Sequence, residues 1–149
     1  MMIDGMAKSP VLIFSSVGGT GIEEIARNHP DKLVKFPIDI TEGLQGFHAK
    51  NILRKLEIRG ELQTAFTDLL VKFFQVCRKS EARSAEVNPL VLTRQGQIIA
   101  ADSNMVIDDY AVFRHPELGI EIPREFDRPP AVGYHVGFID LRLINRSSS

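Results

Sequence analysis

The 149-residue chain has a single cysteine, Cys77, so it can build neither an internal disulfide framework nor a cysteine-based zinc cluster. A lone thiol suits a reducing, cytoplasmic compartment. Charge of neither sign is in excess: 18 Lys and Arg stand against 19 Asp and Glu, a formal net charge of −1. That balance argues against a nucleic-acid surface and against a polybasic membrane anchor. No apolar run approaches the roughly 18 residues that span a bilayer, and the opening MMIDGMAKSP lacks the apolar core of a signal peptide. No internal repeat is visible. None of the histidines has a second histidine at ligand spacing, which disfavours zinc or a histidine base. What is present is the composition of an ordinary globular protein, 44% hydrophobic and 25% charged. A domain of this size buries about 68–70% of its unfolded surface and needs no staple.

Periodicity divides the chain into elements. Residues 11–14 (Val-Leu-Ile-Phe) form an apolar run read as a buried strand, followed by a loop containing Gly18, Gly19, Thr20 and Gly21. Thr20 as N-cap with Glu23 three residues on predicts a capping box, and Ile22, Ile25 and Ala26 give the helix its apolar stripe before Pro30 ends it. Residues 33–38 read as a strand that Pro37 confines to an edge or an end. Residues 48–56 and 61–79 read as amphipathic helices. The longer has a stripe through Leu62, Phe66, Leu69, Phe73, Val76 and Cys77, and Arg78 and Lys79 favour its C-terminal dipole. From Ala85 the period becomes two, with apolar runs on either side of Arg94-Gln95-Gly96, a hairpin signal. The order strand–helix–strand–helix–helix–strand–strand implies an α+β domain, a mainly antiparallel sheet with helices packed on it.

The hairpin carries the chemistry. With a three-residue loop at Arg94–Gly96, Thr93 pairs with Gln97, Asn88 faces Asp102 and Glu86 faces Asn104. Residues two apart on a strand share a face, so these four polar side chains form one oxygen-rich corner. Leu90, Leu92, Ile98 and Ala100 continue it as an apolar floor. A carboxylate beside a carboxamide is a hard-oxygen donor pair, and Mg²⁺ takes one or two such ligands, completing its shell with water and nucleotide phosphates. The same residues also fit a solvated strand end. The glycine-rich loop allows two readings as well, an anion cradle or a tight turn with a helix cap; it matches neither the P-loop nor GxGxxG, and no Lys follows. Cys77 and Phe66, Phe73 and Phe74 read as helix packing, His29 as a helix-end residue, and Asp39 and Glu42 as solvated loop groups.

Glu86-Val87-Asn88-Pro89-Leu90-Val91, Gly96, Ala101-Asp102, Asp108-Asp109 and the run from Ala111 through Arg114-His115-Pro116-Glu117-Leu118 resemble the β subunits of nucleoside-diphosphate-forming acyl-CoA synthetases, the family of succinyl-CoA synthetase and ATP-citrate lyase. Gly18-Gly19, Gly21-Ile22-Glu23-Glu24-Ile25-Ala26, Gly43-Leu44-Gln45 and Gly60 with Leu62 follow the same family in the same order, so the resemblance covers about residues 11–118. Ile120-Glu121-Ile122-Pro123 looks slightly more like the citrate lyase side.

The resemblance implies that residues 1–118 are the later part of an ATP-grasp nucleotide-binding domain, with 119–149 a linker and unassigned tail. It implies that Asn88 and Asp102 bind the Mg²⁺ of ATP or GTP, and that Glu86 lies where a phosphohistidine visits from an α subunit or domain that also carries the CoA site. The implied activity is ligation of an acid to CoA, as in the tricarboxylic acid cycle. Two departures stand out. Asn104 occupies the place of a family lysine, and no stretch resembles the earlier ATP-grasp half or the C-terminal CoA-ligase domain. The chain therefore reads as a fragment, expected to be inactive alone, to need the missing half and to be prone to self-association. The other reading is a non-catalytic scaffold module that docks on a partner.

Overall fold

The apolar run after Pro10 alternates in burial, with Leu12 and Phe14 turned into the core, and two amphipathic helices close over that side. The computed structural model of the chain describes residues 1–5, 9–18 and 21–120. Among them the order is β1 (Met2–Asp4), β2 (Ser9–Ser15), α1 (Ile22–Asn28), β3 (Leu33–Pro37), α2 (Gly46–Lys55), α3 (Gly60–Lys79), β4 (Ala82–Val87), β5 (Leu90–Leu92), β6 (Ile98–Ala100) and β7 (Ser103–Ile107). Short 3₁₀ turns occupy Pro30–Lys32, Val112–Arg114 and Pro116–Leu118. Five strands form one antiparallel sheet in the order β3-β2-β1-β4-β7, while β5 and β6 make a separate two-stranded ladder. The expected α+β architecture is what the chain adopts, and β3 with its Pro37 is an edge, where a missing N–H costs no ladder bond.

Helices cover one face of the sheet. Leu12 and Phe14 of β2 and Val34 of β3 pack with Leu44, with Ala49, Ile52 and Leu53 of α2, and with Leu70 and Phe74 of α3. A second cluster joins Val76 and Cys77 of α3 to Ala82 and Ala85 of β4, Met105 and Ile107 of β7, and Ala111 and Val112 beyond. α3 thus spans both clusters and ties the two halves of the sheet together. Cys77 is a core residue, and burial pushes its thiol up to about 11. Among the described residues no helix is long and apolar enough to cross a membrane.

Four local expectations need correction. β1 was not anticipated; it is central to the sheet although only three residues long, and Met1 and Ala85 exchange backbone bonds beside it. α1 has Gly21 at its N-cap with no side-chain cap bond, so the expected Thr20–Glu23 box is displaced; Thr20 itself lies outside the described residues. Ile22 is exposed and Ile25 alone of that helix is buried.

The buried residues of α3 are Thr67, Leu70, Phe74, Val76 and Cys77: its C-terminal end follows the expected stripe, whereas before it Leu70 and Phe74 lie deeper than the expected Leu69 and Phe73, and Leu62 is exposed. A helix apolar over much of its circumference leaves its phase to packing. Thr67 can be buried because its hydroxyl donates to the Gln63 carbonyl at 2.6 Å. Leu90 does not extend a floor beneath Glu86: it packs on the helix-side core, while Leu92 and Ala100 are exposed. The alternation does not carry across Asn88–Pro89, where a residue with no N–H interrupts the strand between β4 and β5.

Candidate functional site

The expected pairing register is the one observed, on both sides of that interruption. Leu92 pairs with Ile98, Leu90 with Ala100, Val87 with Ser103 and Glu86 with Asn104. Gly96 turns the loop with φ +79°, a conformation costly for other residues. Thr93 N–H donates to the Gln97 carbonyl at 2.9 Å and closes the three-residue loop. Between the two ladders, Asn88 N–H donates to the Asp102 carbonyl at 3.2 Å and Ala101 N–H to the Pro89 carbonyl at 3.0 Å. Asn88 therefore stands opposite Asp102, two residues beyond the Glu86–Asn104 pair.

Ala85 and Met105 point into the core, so alternation puts Glu86 and Asn104 on the face away from the helices. Glu86, Asn88 and Asp102 are exposed and Asn104 is half-buried. Asn88 Nδ2 donates to Glu86 Oε1 at 3.3 Å, turning the carboxamide nitrogen toward the carboxylate and its oxygen toward other partners. Asp102 Oδ1 accepts the Ser103 N–H at 2.8 Å, which orients that carboxylate at the strand start. The side chains brought together are thus acceptor-rich, as a hard cation with a phosphate ligand requires. They fit Mg²⁺ as partial ligands only: among the described residues no three His, Cys, Asp or Glu side chains are grouped to enclose a metal.

The glycine loop approaches the same place. A side-chain carbon placed on Gly18 would lie 4.0 Å from Pro89 Cβ. Gly19 and Thr20 are outside the described residues.

A second polar cluster was missed in the sequence. Glu81, at φ +52° between α3 and β4, receives Arg114 Nε on Oε2 and Arg114 Nη2 on Oε1, both at 2.8 Å. His115 lies between carboxylates, Nε2 3.1 Å from Glu81 Oε2 and Nδ1 3.1 Å from Glu117 Oε1. Hydrogen bonding from Arg114, helped by His115, pulls the Glu81 carboxyl down to about 2. Arg114 also lies 4.8 Å from the centroid of the exposed Phe113 ring. This fork clamps the segment after β7 onto the end of α3. Its partners are 33 residues apart, so no spacing rule announces it.

The remaining candidates are structural. Asp39 Oδ1 accepts the N–H groups of Thr41 and Glu42, which lowers its pKa. His48 Nδ1 accepts the Gln45 N–H at the start of α2, and its ring packs against Phe36 and Phe47. His29 ends α1 through its backbone. His135 lies outside the described residues.

Residues 1–92 match the ATP-grasp domain family. The chain is 38% identical over 144 residues to a protein of Thermus thermophilus named succinate–CoA ligase [GDP-forming] subunit beta, covering 96% of this chain and 38% of that one. It is 37% identical over 117 residues to the ADP-forming subunit beta of Leptospira biflexa, covering 78% and 30%. It is 33% identical over 141 residues to that of Ignicoccus hospitalis, covering 95% and 37%. The chain spans about a third of the length of these relatives.

Proposed function

The chain belongs to the ATP-grasp family, and from that premise we propose that it is the later part of the nucleotide-binding domain of a nucleoside-diphosphate-forming acid–CoA ligase β subunit. Residues 1–118 make that part and 119–149 a linker and tail. Asn88 and Asp102 hold Mg²⁺ together with the phosphates of ATP or GTP. Bound there, the ion neutralises charge on the transferring phosphoryl group, which is most of what such a transfer asks of a protein. Asp102 supplies the negative charge for the cation, and Asn88 supplies a neutral oxygen whose orientation is held by Glu86. Glu86, two residues inward on the same face, meets the phosphohistidine of an α subunit or domain. With Asn104 opposite it, no lysine occupies that corner position to compete for the carboxylate.

The observation that carries this reading is the backbone bond that sets Asn88 opposite Asp102, beside the Glu86–Asn104 pair. The test is a calorimetric titration of the chain with Mg–ADP and Mg–ATP, alongside Asp102→Ala. Saturable binding that disappears in the variant is the expected result. Equal binding by both proteins overturns the metal assignment.

A second reading, a non-catalytic module that docks on a partner, has its own observation. Val91 and Ile99 pair on one face of the hairpin and Leu92 lies on the other, and all three are exposed. A two-stranded ladder with apolar residues on both faces is marginal in water by itself. Absence of nucleotide binding by either protein, with association seen by sedimentation, favours that module.

A further inference from the structure

We propose that His115 is a proton-operated latch: as an imidazolium it ties the turn Pro116–Leu118 to the junction of α3 and β4, and it lets go on losing one proton. His115 is the joint between the two 3₁₀ turns after β7, ending Val112–Arg114 and opening Pro116–Leu118. Its ring bridges two carboxylates from different parts of the chain. Nε2 lies 3.1 Å from Oε2 of Glu81, 34 residues away at the α3–β4 junction. Nδ1 lies 3.1 Å from Oε1 of Glu117 on the second turn. The His115 side chain is 12% exposed, so water reaches little of the ring to replace either partner.

Hydrogen-bond accounting fixes the number of protons on the ring. Arg114 holds the Glu81 carboxyl at about 2, and a backbone hydrogen bond, followed by His115, lowers that of Glu117. Both carboxylates are therefore ionised near neutral pH and can only accept. A ring that meets an acceptor at each nitrogen must donate from each, and only the imidazolium has two N–H groups. The neutral ring turns a lone pair toward one carboxylate. That contact breaks, and either break cuts the Glu81–His115–Glu117 chain. The other charged groups facing the cluster are Arg114, Lys79 at the end of α3, and Asp108 after β7. Histidine is the member of this set that ordinarily changes charge between about pH 5 and pH 8. Arg114 keeps its two bonds to Glu81 in either state, and Ala111 and Val112 stay in the second core cluster. Release is therefore confined to the outer turn, where the chain leaves toward residue 119.

The experiment follows the full chain by ¹H–¹⁵N NMR from about pH 5 upward until the His115 ring has lost its proton. His115→Gln supplies a side chain that does not titrate. Glu117→Gln supplies an amide that can accept or donate, and so fits either state of the ring. The ring nitrogens of the parent should read as two N–H groups at the acid end and one at the alkaline end. The amides of Leu118 and Gly119, which donate to the His115 and Pro116 carbonyls, report the turn. Their exchange, taken as a ratio to His115→Gln at each pH, should rise about two- to fivefold as the proton leaves, the scale of an exposed ion pair. In Glu117→Gln the ratio should stay flat. A parent ring that loses its proton while the ratio stays flat overturns the latch. So does a ring with a single N–H at the acid end, or an equal rise in Glu117→Gln.

Discussion

The helix-covered face of the sheet and the hairpin that leaves its end use the same apolar residue types and put them to opposite use. Leu53 of α2 is 0% exposed, enclosed by β2, β3 and α3, whereas Leu92 of β5 is 47% exposed. The first region has two helices and a five-stranded sheet to close on itself. The second has two strands of three residues, of which Leu90 packs on the core while Val91, Leu92 and Ile99 stay exposed. Polar groups follow the same division. Thr67 and Ser80 are buried with their hydroxyls bonded to backbone carbonyls, while Glu86, Asn88 and Asp102 stand in the open. Stability therefore belongs to the helix side, and the hairpin end is free to carry chemistry that stability would not select.

Leu53→Ala against Leu92→Ala is the severest way to break that division. The first should cost about 2–5 kcal/mol, for lost burial plus a cavity that rigid neighbours cannot fill. The second should stay within about 0.5 kcal/mol, as for other surface changes. Urea unfolding followed by circular dichroism measures both. Similar losses would show that the hairpin is as well packed as the core.

Two left-handed glycines repeat the comparison on a smaller scale. Gly43 has φ +72°, and a Cβ there would lie 3.0 Å from Phe74 Cε1, a buried ring with no room to retreat. Gly96 has φ +79° with open space around it. Gly96→Ala should cost only the backbone penalty, about 1–2 kcal/mol. Gly43→Ala should cost that plus overpacking, about 2–4 kcal/mol in all. Equal losses in the same unfolding experiment would show that the Phe74 ring yields.

The hairpin register was legible in the sequence because one turn sets the pairs as far as Ser84–Val106: once Gly96 closes a three-residue loop, Asn88 faces Asp102. The helices were legible through their spacing. What escaped has physical reasons. Met2-Ile3-Asp4 is too short to show a period, and its place in mid-sheet depends on strands 2 and 4 flanking it. The deeper burial of Leu70 and Phe74 escaped because Phe66, Leu69 and Phe73 are apolar too, and only tertiary packing selects among them. Leu90 lies on the helix side because strand alternation does not continue through Pro89. The Glu81–Arg114–His115 fork escaped because it is made by folding alone.

That fork supplies a pH test with a definite sign. Glu81 is held at about 2, below its ordinary carboxyl value of 4.5, so its contribution is present above the ordinary value and is lost as pH falls toward 2. The melting midpoint of the parent chain should exceed that of Glu81→Gln at neutral pH. The gap should close between about pH 5 and pH 2. The effect should be modest, since the pair is exposed and screened. A gap that persists at pH 2 would mean that the difference between the two proteins does not come from ionisation of the Glu81 carboxyl.

The smallest expected change in stability is at Asp102, and for the division of labour it is the most informative. Asp102 is exposed, its Oδ1 accepts the adjacent Ser103 N–H, and it shares an oxygen-rich end with Glu86. Removing the carboxylate forfeits one local bond and relieves some like-charge repulsion, two small terms of opposite sign. Asp102→Ala should therefore unfold within about 0.5 kcal/mol of the parent while losing the Mg–ADP binding proposed above. A loss of unfolding free energy above about 1 kcal/mol would place Asp102 among residues that hold the fold. The hairpin end would then be a structural junction, and the contrast with the helix side would fail where it matters most.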